Sequence, residues 1–177
     1  FDRTLAELQR REITYKGVLY AGIMLTAGGP KVLEFNCRFG DPETQVILPR
    51  MDGDLLPALM ACARGGLRAD MIRWKAESCV TVVMASGGYP GSFEKGKLIE
   101  GIRDAERLED VQVFHAGTKW VDNRVVTAGG RVLNVTAQGA DLRTAVKKAY
   151  LAITKIRYDQ AQYRTDIAAR ALRAAVG

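Results

Sequence analysis

Cysteine, histidine and proline are scarce: the 177 residues hold three, one and five of them. Cys37, Cys62 and Cys79 are odd in number, widely spaced and free of any CxxC pair. That excludes a disulfide framework and a cysteine-based zinc site, and it suits a reducing cytoplasm. Long apolar runs are missing too, and no window nears the roughly 18 uncharged apolar residues of a membrane-spanning helix. The opening FDRTLAELQRRE is charged and has no apolar stretch ahead of a small-residue cleavage site, so it does not read as a signal peptide. It also has no initiator Met and reads as the middle of a helix, from which the chain is expected to be cut out of something longer. Repeats and low-complexity tracts are absent. With 47% hydrophobic and 26% charged residues the chain belongs to the folded globular class.

The net charge of +6 raises the possibility of a nucleic-acid binder, so its location matters. Residues 1–75 carry 11 basic and 9 acidic side chains, whereas residues 143–177 carry 8 basic and 2 acidic, equal to the whole excess. That tail has only Tyr150, Tyr158 and Tyr163 for stacking, and its basic residues fall as they do on ordinary amphipathic helices. A solvated basic face is the reading adopted, with no nucleic acid and no membrane among the expected partners.

The chain reads as α+β. Residues 17–26 fit a short buried strand, TAGGP is a turn, and residues 31–39 alternate, so the pair is expected to form a hairpin. Asp52 or Asp54 caps a following helix with Leu55, Leu56, Leu59, Met60 and Ala63 at helical spacing, ended by Gly65 and Gly66. The polar stretch 68–78 marks a domain boundary near residue 75. Beyond it CVTVVMAS predicts a strand, followed by a glycine-dense loop at 87–97. The runs VQVFHAGTKWV and RVVTA predict further strands, with Gly129 and Gly130 as a hairpin-type turn into RVLNVTA. Asp141 caps a helix whose apolar stripe is Leu142, Ala145, Val146, Ala149, Ile153 and Ile156, and a short helix spans roughly 166–175. The second domain's core is expected from residues 80–84, 132–135 and 142–156.

Residues 33–45, LEFNCRFGDPETQ, are the most informative. On a strand Leu33, Phe35, Cys37 and Phe39 share a core face, while Glu34, Asn36 and Arg38 share the other. A carboxylate and an amide oxygen are hard ligands suited to Mg²⁺, and a guanidinium can grip phosphate oxygens. Alternation alone is the habit of any half-solvated sheet. Here, however, Gly40, Asp41 and Pro42 force a turn straight after the polar face, and Glu43, Thr44 and Gln45 start a helix whose N–H groups can face an anion. Turn and helix N-termini also favour acidic residues, so Asp41 and Glu43 have a structural explanation as well.

YKGVLYAGIMLT followed by VLEFNCRFGDPETQ resembles the end of the ATP-grasp domain in the phosphoribosylamine–glycine ligase family. The likeness continues through ILPRMDGDLL, GGYPGSFEKGK, FHAGT, TAGGRVLNVTA and AYLAI to YRTDIAARAL, with Ala168 standing where that family has a glycine. The resemblance implies that residues 1–75 end an ATP-grasp domain and that residues 76–177 form a small, mostly antiparallel α+β C-terminal domain. It implies ATP-dependent joining of glycine to 5-phosphoribosylamine through glycyl phosphate, an early step of de novo purine synthesis, with ATP and Mg²⁺ (or Mn²⁺) as cofactors. Glu34 and Asn36 match the family's metal ligands, and Arg38 falls where phosphate or intermediate contacts are expected. Asp41, Glu43, Thr44, Lys95 and Lys97 are further candidates for substrate or phosphate contact. The N-terminal part of such a ligase precedes Phe1, so the 177 residues alone are expected to fold without ligase activity. Their polar strand face is expected to be open, and the first 75 residues to expose apolar surface.

The loop at 87–97 has four glycines and two lysines but matches neither GxxxxGK[ST] nor GxGxxG, so its candidacy rests on the resemblance. His115 has no Cys, Ser or acidic partner at motif spacing and reads as structural; Trp74 and Trp120 read as core or rim. The competing class is a basic, non-catalytic module for nucleic acid or protein that reuses the fold, and salt-sensitive binding to arbitrary DNA or RNA is what would favour it.

Overall fold

The computed structural model describes residues 1–174. In chain order the elements are α1 (Asp2–Arg10), β1 (Tyr20–Thr26), β2 (Gly29–Asn36), α2 (Thr44–Ile47), α3 (Leu55–Arg64) and β3 (Ser78–Ala85). There follow α4 (Ile102–Glu106), β4 (Val111–His115), β5 (Thr118–Val121), β6 (Arg124–Thr127), β7 (Arg131–Gly139), α5 (Leu142–Ile153), β8 (Gln162–Tyr163) and α6 (Ala169–Ala174). They divide into two compact units, Phe1–Gly40 with Met51–Trp74, and Asp41–Arg50 with Lys75–Gly177.

In the first unit β1 and β2 pair antiparallel as a two-stranded ribbon, and the register skips Leu33 between Gly22↔Glu34 and Ile23↔Val32. Helix α3 is bounded as its sequence dictates. Asp54 accepts from Leu56 N at 2.9 Å, Gly65 adopts the left-handed conformation (φ 80°), and Gly66 N donates to Ala61 O at 2.8 Å. Asp52 does not cap; it lies 3.6 Å from the Arg73 guanidinium. The burial expected of the Leu33, Phe35 and Cys37 face does not occur, whereas the expected exposure of apolar surface in the first 75 residues does. Leu33 is 65% and Leu25 83% exposed, Phe35 and Cys37 also face solvent, and so do Leu56, Leu59 and Met60 of α3. A two-stranded ribbon has no second layer within its unit, so strand alternation alone cannot bury either face.

The second unit is built on an antiparallel sheet of order β4-β7-β3-β8. Val80, Val82, Met84, Val111, Val113, Leu133, Val135 and Ala137 are all buried, and the register sets them on one face. Helix α5 covers that face, capped by Asp141, which accepts from Thr144 N at 2.7 Å. Its buried residues are Ala145, Ala149, Ala152 and Ile153; Leu142 and Val146 are half-buried, and Ile156 is buried just past the helix end.

The hairpin expected at Gly129 and Gly130 is corrected. Gly129 and Gly130 do not make a hairpin, because β6 pairs with β5 while β7 pairs with β3 and β4. The hairpin turn is instead Asp122 and Asn123, both at positive φ (47° and 59°), the backbone a two-residue hairpin turn demands. Gly130 serves close approach, since a side chain there would run into the Tyr89 ring. Trp74 and Trp120 are exposed, at 53% and 66%. The last helix starts at Ala169, later than expected, because Ala168 sits in the left-handed region (φ 62°); Ala175 lies outside the described residues.

That conformation explains why a glycine suits position 168: a β-carbon there costs roughly 1 kcal/mol. Ala168→Gly is expected to raise the melting midpoint by about 2 °C, measured by calorimetry. Tyr158 supplies a second test. Its buried hydroxyl donates to Ala85 O at 2.9 Å, and burial pushes the phenol above its usual value. The fold thus favours neutral tyrosine, and this stabilisation is lost as pH rises past about 10, where the unfolded chain ionises first. Tyr158→Phe is expected to cost about 1–2 kcal/mol at neutral pH and to flatten the alkaline fall in stability, read by urea unfolding at several pH values.

Candidate functional site

Glu34 and Asn36 stand two residues apart near the end of β2, and Asn36 Nδ2 donates to Glu34 Oε1 at 2.9 Å. Alternation brings the two side chains to one face, and Gly22 opposite Glu34 leaves the carboxylate stem room: a side chain at Gly22 would begin 3.2 Å from Glu34 Cγ. Glu34 faces solvent, and both side chains carry an oxygen donor suited to a hard divalent cation. Rotating the Asn36 amide presents its oxygen beside the carboxylate. No group of three or more His, Cys, Asp or Glu that could hold a metal occurs among the described residues. Two protein oxygens alone leave the rest of a cation's coordination to water and substrate oxygens, the habit of Mg²⁺.

Arg38 lies beyond the strand end, and its Nη1 donates to Phe39 O at 2.7 Å. Its guanidinium is exposed, but no bond joins it to Glu34 or Asn36 among the hydrogen bonds described. Asp41 and Pro42 are joined by a cis peptide, and the helix that follows is a single turn, α2, continued by a 3₁₀ turn over Leu48–Arg50. Glu43 and Thr44 are half-buried at its start, and Glu43 O accepts from Val46 N and Ile47 N. Both Asp41 carboxylate oxygens are taken, one by Gln45 Nε2 at 3.0 Å and one by Arg131 Nη2 at 3.0 Å. Glu34, Asn36 and Arg38 belong to the first unit; Asp41, Glu43, Thr44, Lys95 and Lys97 belong to the second.

In the glycine-dense loop the two lysines differ. Lys97 is held by Glu94 at 2.7 Å and Asp159 at 3.0 Å, and these carboxylates keep its ammonium above the usual value. Its main chain is stitched to Thr127 of β6. Lys95 is exposed, with Nζ 6.0 Å from the Phe93 ring centre. His115 Nδ1 is 2.9 Å from Thr118 Oγ1 at the start of β5, the next strand in the chain. The Cys37 thiol beside Tyr15 holds the Tyr15 hydroxyl above its usual value, and burial pushes the Cys79 thiol up to about 11. Part of the basic tail is neutralised internally, by Lys148–Asp110 and Arg164–Asp166, and Tyr150 bonds Arg164 O and Ile167 N instead of offering a stacking face. Arg131 and Asp159 escaped the sequence reading, because each meets its partner across more than 60 residues and no local spacing announces it.

Comparison with known proteins adds the following. Residues 79–170 match the family described as phosphoribosylglycinamide synthetase, C domain, and residues 1–44 match phosphoribosylglycinamide synthetase, ATP-grasp (A) domain. A phosphoribosylamine–glycine ligase of Synechocystis is 50% identical over 171 residues, covering 96% of this chain and 41% of the relative. The trifunctional purine biosynthetic protein adenosine-3 of Gallus gallus is 51% identical over 172 residues, covering 97% of this chain and 17% of the relative. The crystal structure of phosphoribosylamine–glycine ligase from Thermotoga maritima superposes with a TM-score of 0.79 at 36% identity, covering 93% of this chain and 40% of that one. The biotin carboxylase domain of a Hydrogenobacter thermophilus carboxylase shares the fold at 15% identity and a TM-score of 0.59. The chain spans about two fifths of the ligase relatives it matches.

Proposed function

This chain belongs to the phosphoribosylglycinamide synthetase family, and from that premise we propose that it supplies part of a phosphoribosylamine–glycine ligase. Residues 1–75 end the ATP-grasp domain and residues 76–177 are the C-terminal domain. The observation that carries the reading to a site is the meeting of Glu34 and Asn36 on one solvent-facing strand edge, inside a stretch matched to the ATP-grasp domain.

In this reading the γ-phosphoryl group of ATP passes to the glycine carboxylate, releasing ADP. The amine of 5-phosphoribosylamine then attacks the acyl carbon of glycyl phosphate and expels phosphate. Glu34 and Asn36 hold a divalent cation, magnesium or manganese. When bound, that ion offsets the charge of the ATP phosphates. Arg38 offers a planar donor fork to a phosphate oxygen of ATP or of the acyl phosphate. Glu43, Thr44 and Lys95 border the substrates; Lys97 does so from a place fixed by Glu94 and Asp159.

The remaining N-terminal part of the ligase is the partner, and it covers exposed apolar residues of the β1–β2 ribbon such as Ile23, Leu25 and Leu33. Alone, the 177 residues are inactive, because positioning supplies most of the catalysis and the opposing wall is elsewhere. No helix among the described residues is long and apolar enough to cross a membrane, and the cytoplasm is the proposed location. The test is Glu34→Gln in the full gene product, assayed for ADP release with glycine, phosphoribosylamine and limiting magnesium. The expected loss is about a hundredfold or more with an unchanged circular dichroism spectrum. Turnover near that of the unaltered protein would contradict the assignment.

A further inference from the structure

The hydrogen bonds of Asp41 point to a task other than meeting substrate. Arg131 grips it twice: Nη2 binds Oδ2 at 3.0 Å and Nη1 binds the main-chain carbonyl at 2.9 Å. A guanidinium that holds side chain and backbone of one residue fixes both its place and its conformation, which a lysine cannot do. Arg131 is itself firmly set. It opens β7 opposite Ala85 at a bulge that skips Val132, the kind of irregularity that re-aims a side chain. Gly117 N donates to Arg131 O at 2.8 Å, and Ser86 N donates to Gly130 O at 2.8 Å, just ahead of it.

The segment so held is Asp41–Arg50, which joins the second unit although it leaves the chain directly after Arg38 and Gly40. Its far end is fastened as well, by Arg50 Nη2 to Lys75 O at 3.1 Å and Lys75 Nζ to Pro49 O at 2.9 Å. Between the two ends α2 packs on β3 and β7. There Gln45 Oε1 and both amide atoms of Asn134 are buried without a hydrogen-bond partner among the described residues, and Gln45 Nε2 bonds back within the segment to Asp41, so neither side chain ties the middle to the sheet.

We propose that Arg131 is a positioning residue for the ligase site. Acting through Asp41, it fixes the place of Glu43 and Thr44 within the second unit, and Asp41 is the anchor it holds. This rests on the ligase reading given above. Arg131→Gln, Arg131→Lys and Asp41→Asn in the full gene product test it by two measurements. In ADP-release kinetics each should lower kcat roughly tenfold to a hundredfold while KM for ATP stays within about twofold. The double variant Arg131→Gln/Asp41→Asn should be no worse than either single. In hydrogen exchange, the amides of Val46 and Ile47 should open about tenfold faster, while those of β7 keep their protection. Unchanged kcat in Arg131→Gln, unchanged exchange at Val46 and Ile47, or loss of protection spreading into β7 would each overturn the proposal. If Arg131→Gln does not fold, Asp41→Asn decides. Should the unaltered protein release no ADP from these substrates, the ligase reading fails, and the exchange measurement still decides whether Arg131 sets this segment.

Discussion

Strand β7 is buried on both faces, and the second unit is arranged around that constraint. Residues 132–137 are each at most 1% exposed, an uninterrupted run that only a central strand can have. Leu133, Val135 and Ala137 meet α5, whose contact residues are mostly alanine, so the helix can lie close to the sheet. Asn134 and Thr136 fall on the opposite face with Thr81 and Val83, and Thr136 donates to Thr81 Oγ1 at 2.8 Å. That second face is where α2 packs and where Arg131 reaches Asp41. Asn134 keeps a buried amide there with neither atom paired among the described residues. One face is thus spent on stability and the other on holding the segment that follows the site strand.

Much of this was legible from the residues alone. The β-branched runs of β3 and β7, the caps Asp54 and Asp141 and the stop at Gly65 are local signals, and local physics decides them. The facing of Glu34 with Asn36 follows from strand alternation and was read in the same way. Where the reading failed, the deciding partner was distant or absent from the unit. Leu33 and Phe35 have the pattern of a core face, but burial needs a second layer that no strand pattern encodes. Gly129 and Gly130 look like a hairpin turn, yet the positive-φ pair is Asp122 and Asn123, and Gly130 is glycine because of Tyr89. Elements as short as α4 and β8 have too few residues to show a period. The bond from Arg131 to Asp41 spans 90 residues, and nothing near either residue hints at it.

The polar edge of β2 and the anchored segment after it do different jobs on the ligase reading. Glu34 and Asn36 supply donor atoms on a strand edge that is open to solvent. The Asp41–Arg50 segment, tied at Asp41 to Arg131 and at its other end to Lys75, supplies a fixed continuation of the same chain. Preorganisation of this sort matters when catalysis is chiefly positioning, because small displacements of the reacting groups are costly.

The most direct test is a crystal structure of the full gene product with manganese and ATP, the metal located by its anomalous scattering. The account requires manganese in contact with oxygen atoms of both Glu34 and Asn36. Manganese bound to the nucleotide but away from those two side chains would contradict it.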